Sequence, residues 1–366
     1  MIKKLVPEHI KSLTPYPPGK PIEELERELG ITGSIKLASN ENPLGPSPMA
    51  VEAMKKEVAK VHRYPDGSCF YLKEKLSEIQ GLKPENYIIG NGSNEIIEIL
   101  IRVLVREGDE VIMGDPSFIV YRLVTQGVGG KSVIVPLKDW VFDLDAMRGA
   151  ITDRTRLIFI DNPNNPVGTA IKKDDFSRFM EGLPKSLVVV LDEAYKEFDT
   201  SGESPVFSDY MEGDVPIIST RTFSKLYGIS GARIGYGVAV PGIVSMLNRI
   251  RSPFNVNSFA QAGALAALDD HDFVKRTLEL TRSGMDYLYD EFELLGLEYI
   301  PSQANFVLVD LGLSSPDVYN AMLKEGVIVR PMAGYGLKNH IRVTLGMMEE
   351  NERFVAALKK ILDKGL

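Results

Sequence analysis

The stretch from Tyr87 to Val240 decides the fold. Its short apolar runs, rich in β-branched residues, are YII (87–89), EVIM (110–113), KSVIVPL (131–137), RLIFI (156–160), LVVVLD (187–192), VPIIST (215–220) and ARIGYGVAV (232–240). Between these runs lie segments with a helical spacing of apolar residues, as at Ile96, Ile97 and Leu100. This alternation predicts crossover units and a mostly parallel sheet that helices cover on both faces. The fold class is therefore α/β.

The flanking sequence predicts an N-terminal arm and a smaller C-terminal domain. Residues 1–48 contain the proline-rich segments TPYPPGKP and NENPLGPSP, which cannot form regular helix or a central strand, so we expect an extended arm. Residues 49–253 form the predicted large domain and residues 254–366 the small α/β domain. The small domain is predicted from helical patterns at Asn257–Leu268, Asp272–Leu295 and Glu349–Leu362, together with strand-like runs at Ala304–Val309, Val327–Arg330 and Ile341–Leu345.

Composition excludes several classes of protein. The 366 residues are 44% hydrophobic and 25% charged, as in ordinary globular chains, and the net charge of −8 argues against a nucleic-acid partner. The longest uncharged stretch, Ser252–Leu268, contains several polar residues, so no membrane partner is expected. The single cysteine, Cys69, cannot form an internal disulfide, which favours the cytoplasm, and it is interpreted as a small apolar residue. Four isolated histidines predict no metal site.

Three common motifs are incomplete. Gly130-Lys131-Ser132 resembles the end of a phosphate-binding P-loop, but Thr125 replaces the earlier glycine. The turn at Gly90–Gly92 lacks the third glycine of a dinucleotide-binding motif, and the sequence Gly228–Gly231 is one residue short of a nucleophile elbow. Nucleotide-dependent and serine-hydrolase functions are therefore disfavoured.

Two segments combine a strand end with groups that can bind a ligand. The sequence YIIGNGSNE (87–95) predicts a strand, a glycine turn and a helix that starts at Ser93–Asn94. Such a helix start favours a phosphate, although plain strand-turn-helix geometry gives the same pattern. The sequence DNPNNPVGT (161–169) predicts an irregular loop at the carboxyl end of a strand, where open α/β sheets bind ligands.

Two further segments carry reactive side chains. Asp192 ends the apolar run of VVVLDEAY (188–195), where it needs a cationic ligand or a structural salt bridge. Lys225 lies among hydroxyl groups in STRTFSKLYG (219–228), eight residues before Arg233. A lysine next to cationic or apolar groups acts as a nucleophilic amine, whereas a lone lysine is more typical of a solvated surface.

Together, N-P-N-N-P-x-G (162–168), D-E-A-Y (192–195) and S-K-x-x-G-x-x-G-x-R-x-G (224–235) resemble the fold-type I pyridoxal-phosphate aminotransferases. Other segments make the chain similar to the histidinol-phosphate aminotransferases among them. These are TPYPPGKPIEELERELG (14–30), LASNENPLGPSP (37–48), RYPDG (63–67), GNGSNEII (90–97), DPSFIVY (115–121), QANFVLVD (303–310), VIVRPM (327–332) and GYGLKNHIRVTLG (334–346). The resemblance covers nearly the whole chain.

The resemblance implies pyridoxal 5′-phosphate as cofactor and a role for each matching residue. Lys225 would hold the cofactor as an aldimine and then move the proton, and Asp192 would keep the ring nitrogen protonated. Tyr195 and Asn165 would hydrogen-bond the phenolic oxygen of the ring. Phe118 would stack on the ring face, with ordinary helix core as its alternative. The phosphate would be bound by Ser93, Asn94, Thr222, Ser224 and Arg233.

The resemblance also implies contacts with a partner subunit and with the substrate. Tyr64 is similar to a tyrosine that reaches the phosphate from the neighbouring subunit, which implies a homodimer whose arm contacts the partner; a turn-stabilising aromatic is the alternative. Arg342 is similar to the arginine that binds the anionic end of the substrate. Arg330, Tyr16 and Asn40 lie in substrate-facing segments, with an exposed ion pair as the alternative for Arg330.

The implied reaction transfers the amino group of L-histidinol phosphate to 2-oxoglutarate, giving imidazole acetol phosphate and L-glutamate in histidine biosynthesis. Cofactor motifs do not distinguish this reaction from that of an aromatic amino acid aminotransferase or a threonine-phosphate decarboxylase on the same scaffold. A non-catalytic regulator is disfavoured, because only a short arm precedes the aminotransferase-like part and Lys225, Asp192 and Arg233 occur together.

Overall fold

The apolar runs of the central stretch form one large sheet in a computed structural model that describes residues 2–16 and 18–364. The strands are β1 (Ile35–Lys36), β2 (Tyr87–Gly90), β3 (Glu110–Asp115), β4 (Lys131–Pro136), β5 (Thr155–Asp161), β6 (Val188–Asp192), β7 (Ile217–Thr222), β8 (Gly235–Ala239), β9 (Glu298–Ile300), β10 (Phe306–Asp310), β11 (Val327–Ile328), β12 (Arg330–Pro331) and β13 (His340–Thr344).

Helices connect these strands. The α-helices are α1 (Glu8–Lys11), α2 (Ile22–Leu29), α3 (Pro48–Glu57), α4 (Phe70–Gln80), α5 (Ser93–Leu104), α6 (Ile119–Gly127), α7 (Leu144–Gly149), α8 (Lys173–Met180), α9 (Pro241–Asn248), α10 (Ser258–Ala267), α11 (His271–Leu294), α12 (Ser315–Lys324) and α13 (Met348–Lys364). Short 3-10 helices lie at Ile2–Lys4, Val58–Lys60, Pro84–Asn86, Lys196–Phe198, Phe207–Asp209, Ser230–Ala232 and Ala333–Tyr335. No helix within the described residues is long and apolar enough to cross a membrane.

The large sheet is mostly parallel, as predicted. Its strand order is β2-β8-β7-β6-β5-β3-β4, and only the pairings of β8 with β2 and β7 are antiparallel among the strands of this sheet. Side chains alternate between two buried clusters along β5: Leu157 and Phe159 join one, and Ile158 and Ile160 join the other. Both faces of the sheet are therefore covered by apolar side chains, which confirms the expected α/β class.

A smaller antiparallel sheet, β12-β13-β10-β9, carries the C-terminal part of the chain. Its core contains Leu288 and Phe292 of α11, and Phe354 and Leu358 of α13. The first strand of the chain, β1, pairs in parallel with β11, so part of the N-terminal arm joins this smaller unit.

Two details differ from the sequence-based expectations for the chain organisation. The arm, expected to be extended, contains the helices α1 and α2, and α2 forms because the eight residues between Pro21 and Gly30 contain no proline or glycine. The apolar side of α10 packs into the core of the large sheet through Ala260 and Ala264, although α10 lies beyond the expected boundary at residue 253. The domain limits themselves remain a prediction.

Candidate active site

The site lies where the parallel strands of the large sheet end and face the smaller sheet. A cavity of about 450 Å³ is located there. Every residue that the sequence predicted for the site, except Tyr64, lines this cavity. They are Tyr16, Asn40, Ser93, Asn94, Phe118, Asn165, Asp192, Tyr195, Thr222, Ser224, Lys225, Arg233, Arg330 and Arg342.

Lys225 follows β7, is half-buried and lines the cavity. Its Nζ donates a hydrogen bond to the backbone oxygen of Ser39 at 3.0 Å and lies 5.7 Å from the ring centroid of Tyr195. Burial lowers the pKa of Lys225 to about 7, and the positive charges of Arg342 and Arg233 act in the same direction. A large fraction of this amine is therefore uncharged and nucleophilic near neutral pH.

Asp192 ends β6 and is only 3% exposed. Its carboxylate accepts hydrogen bonds from the hydroxyl of Tyr121 at 2.7 Å and from the backbone N–H of Ala194 at 3.2 Å. Burial raises the pKa of Asp192 above its ordinary value. Since both donors are neutral, a cationic ligand group would complete the surroundings of this buried carboxylate.

Tyr195 and Asn40 form a hydrogen-bonded pair on the cavity wall. Nδ2 of Asn40 donates to the Tyr195 hydroxyl at 2.8 Å, and the backbone N–H of Asn40 donates to Oγ1 of Thr344 at 2.9 Å. Burial raises the pKa of Tyr195 to about 12, so its hydroxyl keeps a proton to donate. Asn40, expected to face the substrate, also holds this hydroxyl and connects it to β13.

An anion cradle lies at the start of α5. The helix begins at Ser93, and Gly92 precedes it with φ 82°. A Cβ on Gly92 would lie 2.6 Å from Nη2 of Arg233, so only glycine lets the guanidinium approach this closely. Arg233 is fixed by donating from Nη1 to the backbone oxygen of Ser230 at 2.9 Å. The free N–H groups of the helix start and this cation favour a phosphate.

Two arginines of the smaller sheet form the opposite wall. Arg330 and Arg342 are register partners across β12 and β13. The Arg342 guanidinium donates to Oδ1 of Asn165 at 2.5 Å and to the backbone oxygen of Ala38 at 2.8 Å. Arg330 lies 5.1 Å from the ring centroid of Tyr16. Two adjacent cations in a partly dry cavity suit an anionic substrate group.

Sequence reasoning missed two buried groups at the site. Tyr121 lies three residues after Phe118, and its ring stacks on Phe159 with centroids 4.3 Å apart while its hydroxyl binds Asp192. Asp161 ends β5 and lines the cavity. An available signal for Asp161 was the aspartate at the end of a fully apolar run, the same signal that identified Asp192. The other cavity residues not predicted are Ala38, Ser39, Glu41, Ala194, Ser230, Gly231 and Tyr335.

Tyr64 does not reach the cavity of its own chain. It is 81% exposed, and its ring stacks on Phe254 with centroids 4.7 Å apart. Cys69 is buried, and burial raises the pKa of its thiol to about 11, which agrees with an apolar packing role. No group of three or more metal-ligating side chains occurs within residues 2–16 and 18–364.

Comparisons with known proteins agree with this geometry. The family described as aminotransferase class I and II matches residues 32–358. The chain belongs to this family.

Several relatives of this aminotransferase are histidinol-phosphate aminotransferases. It is 49% identical over 356 residues to the histidinol-phosphate aminotransferase of Moorella thermoacetica, covering 97% of this chain and 92% of that protein. It is also 49% identical over 355 residues to histidinol-phosphate aminotransferase 1 of Nitrosococcus oceani, with 97% and 96% covered. A crystal structure of the histidinol-phosphate aminotransferase from Sinorhizobium meliloti in complex with pyridoxal-5'-phosphate matches with a TM-score of 0.90 at 29% identity, over 98% of this chain and 97% of that chain.

The cavity of this aminotransferase fits that cofactor. The close contact between Gly92 and Arg233 leaves no room for a side chain at position 92, and Ser93, Asn94 and Arg233 line the cavity beside it. The ring of Phe118 lines the cavity, meeting Tyr121 edge-on at 5.6 Å. Asp192 is a buried carboxylate whose hydrogen-bond donors within residues 2–16 and 18–364 are neutral, and Lys225 is a half-buried amine with a lowered pKa. These are the groups that a phosphorylated pyridine aldehyde needs.

Proposed function

We propose that this protein uses pyridoxal 5′-phosphate to transfer the amino group of L-histidinol phosphate to 2-oxoglutarate. The products are imidazole acetol phosphate and L-glutamate, and the reaction is a step of histidine biosynthesis. The observation that carries this proposal is the meeting of Lys225, Asp192 and the Arg330–Arg342 pair in one cavity. The specificity of relatives that are 49% identical over nearly the whole chain supports the choice of substrate.

Each residue has a task in this mechanism. When bound, the cofactor supplies an electron sink for the charge that develops at the substrate carbon bearing the amino group. The neutral amine of Lys225 takes the proton from that carbon and returns a proton later. Asp192 would hold a negative charge for the ring nitrogen, and the Tyr195 hydroxyl and Asn165 amide would orient the ring. Phe118 would cover the ring and exclude water.

The arginine pair serves both substrates in turn. L-Histidinol phosphate has a phosphate and no carboxylate, whereas L-glutamate and 2-oxoglutarate have two carboxylates. A guanidinium group binds either anion through two parallel hydrogen bonds. Arg342 and Arg330 would therefore hold the phosphate in one half of the reaction and a carboxylate in the other, with Tyr16 of the arm next to Arg330.

An absorbance experiment tests this function directly. The spectrum of the purified holoenzyme is recorded while L-histidinol phosphate and then 2-oxoglutarate are added. We expect the band of the lysine-bound cofactor to disappear on the first addition and to return on the second. A band that ignores L-histidinol phosphate but responds to an aromatic amino acid, or carbon dioxide release from threonine phosphate, would replace the substrate proposed here. If no band forms with added pyridoxal phosphate, the role of Lys225 is wrong.

The site assignments lead to a homodimer with shared active sites. Tyr64 does not line the cavity of its own chain and is highly exposed, which suits a residue that contacts the phosphate bound by a partner subunit. We place the protein in the cytoplasm, since its only cysteine is buried and unpaired. We also keep the arm at 1–48 and the domains at 49–253 and 254–366 as proposed units.

A further inference from the structure

Two buried carboxyl groups share one end of the active-site cavity. Asp161 ends β5 and Asp192 ends β6, and the two residues are register partners on these adjacent parallel strands. Adjacent strands lie about 4.8 Å apart. Each aspartate is 3% exposed, so neither carboxyl group is solvated by bulk water.

The hydrogen bonds of Asp161 differ from those of Asp192. Oδ2 of Asp161 accepts from the backbone N–H of Asn165 at 2.7 Å and from Nδ2 of Asn164 at 3.3 Å. Oδ1 of Asp161 is buried and has no hydrogen-bond partner within the described part of the chain. Two like charges on adjacent strand ends in a dry environment are disfavoured, which favours a single negative charge on the pair. Asp192 holds that charge, because it faces the cofactor nitrogen in the proposed function.

The Asn164–Asn165 turn, which is hydrogen-bonded to Asp161, contacts Arg342 of the smaller sheet. Asn165 receives the Arg342 guanidinium on its side-chain oxygen, while its backbone N–H binds Asp161. Both Asn165 and Arg342 are at most 7% exposed. A change of charge at Asp161 is therefore transmitted to Arg342 through one residue, with little water between them to screen it.

We propose that Asp161 is a positioning residue that must be protonated for Arg342 to bind an anionic substrate. Its Oδ2 fixes the Asn164–Asn165 turn, and its uncharged state leaves Asp192 as the single anion at this end of the cavity. The link to the substrate rests on the proposed function of Arg342. When Asp161 ionises, a second negative charge lies near Asn165. This charge attracts the Arg342 guanidinium and therefore weakens the binding of the substrate anion to Arg342.

The surroundings of Asp161 support a retained proton. Burial raises the pKa of Asp161 to about 8, and the charge of Asp192 adds to this effect. The other titratable groups that face it are Tyr121 on α6, Tyr195 after β6 and Tyr335 after β12, and burial raises the pKa of each tyrosine. These hydroxyls stay neutral when Asp161 ionises, so its titration changes the charge next to Asp192 and Arg342.

The first test measures the protonation of Asp161 without any substrate. Unfolding of the wild-type holoenzyme and of Asp161→Asn is compared between about pH 5 and pH 7. An aspartate with a raised pKa keeps its proton when folded and loses it when unfolded, so stability falls as pH rises. Relative to Asp161→Asn, the unfolding equilibrium constant of the wild type should rise about tenfold per pH unit. The exposed-site control Asp174→Asn should follow the wild type. Parallel profiles for wild type and Asp161→Asn would overturn the proposal.

The second test measures the link to Arg342. The KM and kcat for 2-oxoglutarate, whose charge is constant above about pH 6, are measured up to about pH 9.5. In the wild type, KM should rise about tenfold above pH 8 while kcat changes less, and Asp161→Asn should lose this rise. Asn165→Ala should keep the wild-type unfolding profile and lose the rise in KM. A wild-type rise that persists in Asp161→Asn would disprove the link. Since 2-oxoglutarate accepts the amino group in transamination with any amino donor, replacing L-histidinol phosphate by an aromatic amino acid would leave this test intact.

Discussion

The guanidinium of Arg342 and the side-chain oxygen of Asn165 are joined by a hydrogen bond of 2.5 Å. Arg342 belongs to β13 of the smaller sheet, and Asn165 lies in the loop that follows β5 of the larger one. The position of the proposed substrate arginine is therefore set by the sheet that carries the proposed cofactor groups. This contact orders the cavity from both sides.

Removing the guanidinium of Arg342 should weaken the binding of substrates far more than the binding of the cofactor. A buried charged contact of this kind contributes about 2–4 kcal/mol, so Arg342→Ala should raise the KM of L-histidinol phosphate and 2-oxoglutarate about 100-fold. The dissociation constant of pyridoxal phosphate should change less than about threefold. Steady-state kinetics and a cofactor titration check both values. Arg282→Ala removes an exposed arginine of α11 as a control. Loss of the cofactor with an unchanged KM would mean that Arg342 is misplaced.

Capture of the cofactor should depend on pH through Lys225. Its pKa of about 7 means that the uncharged, nucleophilic amine increases as pH rises from 6 to 8. The rate at which the apo-protein gains the absorbance band of the lysine-bound cofactor should therefore rise over this interval and level off above it. Lys225→Ala should form no band and lose nearly all turnover. A flat rate between pH 6 and 8, or near-normal activity of the variant, would contradict the assignment.

Local sequence was sufficient for the parts of the site that lie at strand ends. Asp192, Asn165 and Lys225 each follow an apolar run, and parallel strands bring such ends to one edge of a sheet. The role of Tyr121 could not be predicted this way, because it depends on how α6 packs against β5 and β6. The helix α2 was likewise missed, because the prolines on either side dominated the interpretation of the arm.

The glycine before α5 should be required for phosphate binding. In Gly92→Ala, a Cβ would meet Nη2 of Arg233 at 2.6 Å, and φ is 82°. Gly108→Ala is a matched control, since its φ is 84° and no atom lies within 4 Å of its Cβ. Both variants should lose about 1–3 kcal/mol of unfolding free energy through backbone strain. Only Gly92→Ala should also lower the affinity for pyridoxal phosphate, by at least about tenfold. Equal cofactor affinities of the two variants would disprove that Gly92 and Arg233 form a phosphate-binding site.

Tyr121→Phe should weaken the binding of the cofactor while the packing of the core is kept. The substitution removes the hydroxyl that donates to Asp192 and keeps the ring that stacks on Phe159. Loss of a hydrogen bond to a charged group costs about 1.5–3 kcal/mol, and it raises the pKa of Asp192 further. Cofactor affinity, measured by equilibrium titration at neutral pH, should fall about tenfold or more. Tyr210→Phe removes a hydroxyl that binds Ser177 outside the site and should leave affinity unchanged.

Tyr64 should act on the active site of the partner subunit. Tyr64→Ala alone should weaken the binding of the cofactor, and Lys225→Ala alone should be inactive. A hybrid dimer made by co-expression of the two variants, with different tags, contains one site with the intact Lys225 of one subunit and the intact Tyr64 of the other. If Tyr64 acts across the interface, this site recovers wild-type cofactor affinity and the hybrid regains about half of the turnover per dimer.

Action within one chain would give the opposite result for the hybrid dimer. The subunit that keeps Lys225 would then lack its own Tyr64, so the hybrid would bind the cofactor as weakly as Tyr64→Ala. Tyr64→Phe is the control for the ring stacked on Phe254, since it keeps the ring and removes the hydroxyl. Because Tyr64 is exposed and outside its own cavity, recovery in the hybrid is the expected outcome. A protein that sediments as a monomer at the concentrations of the assay would refute the shared site.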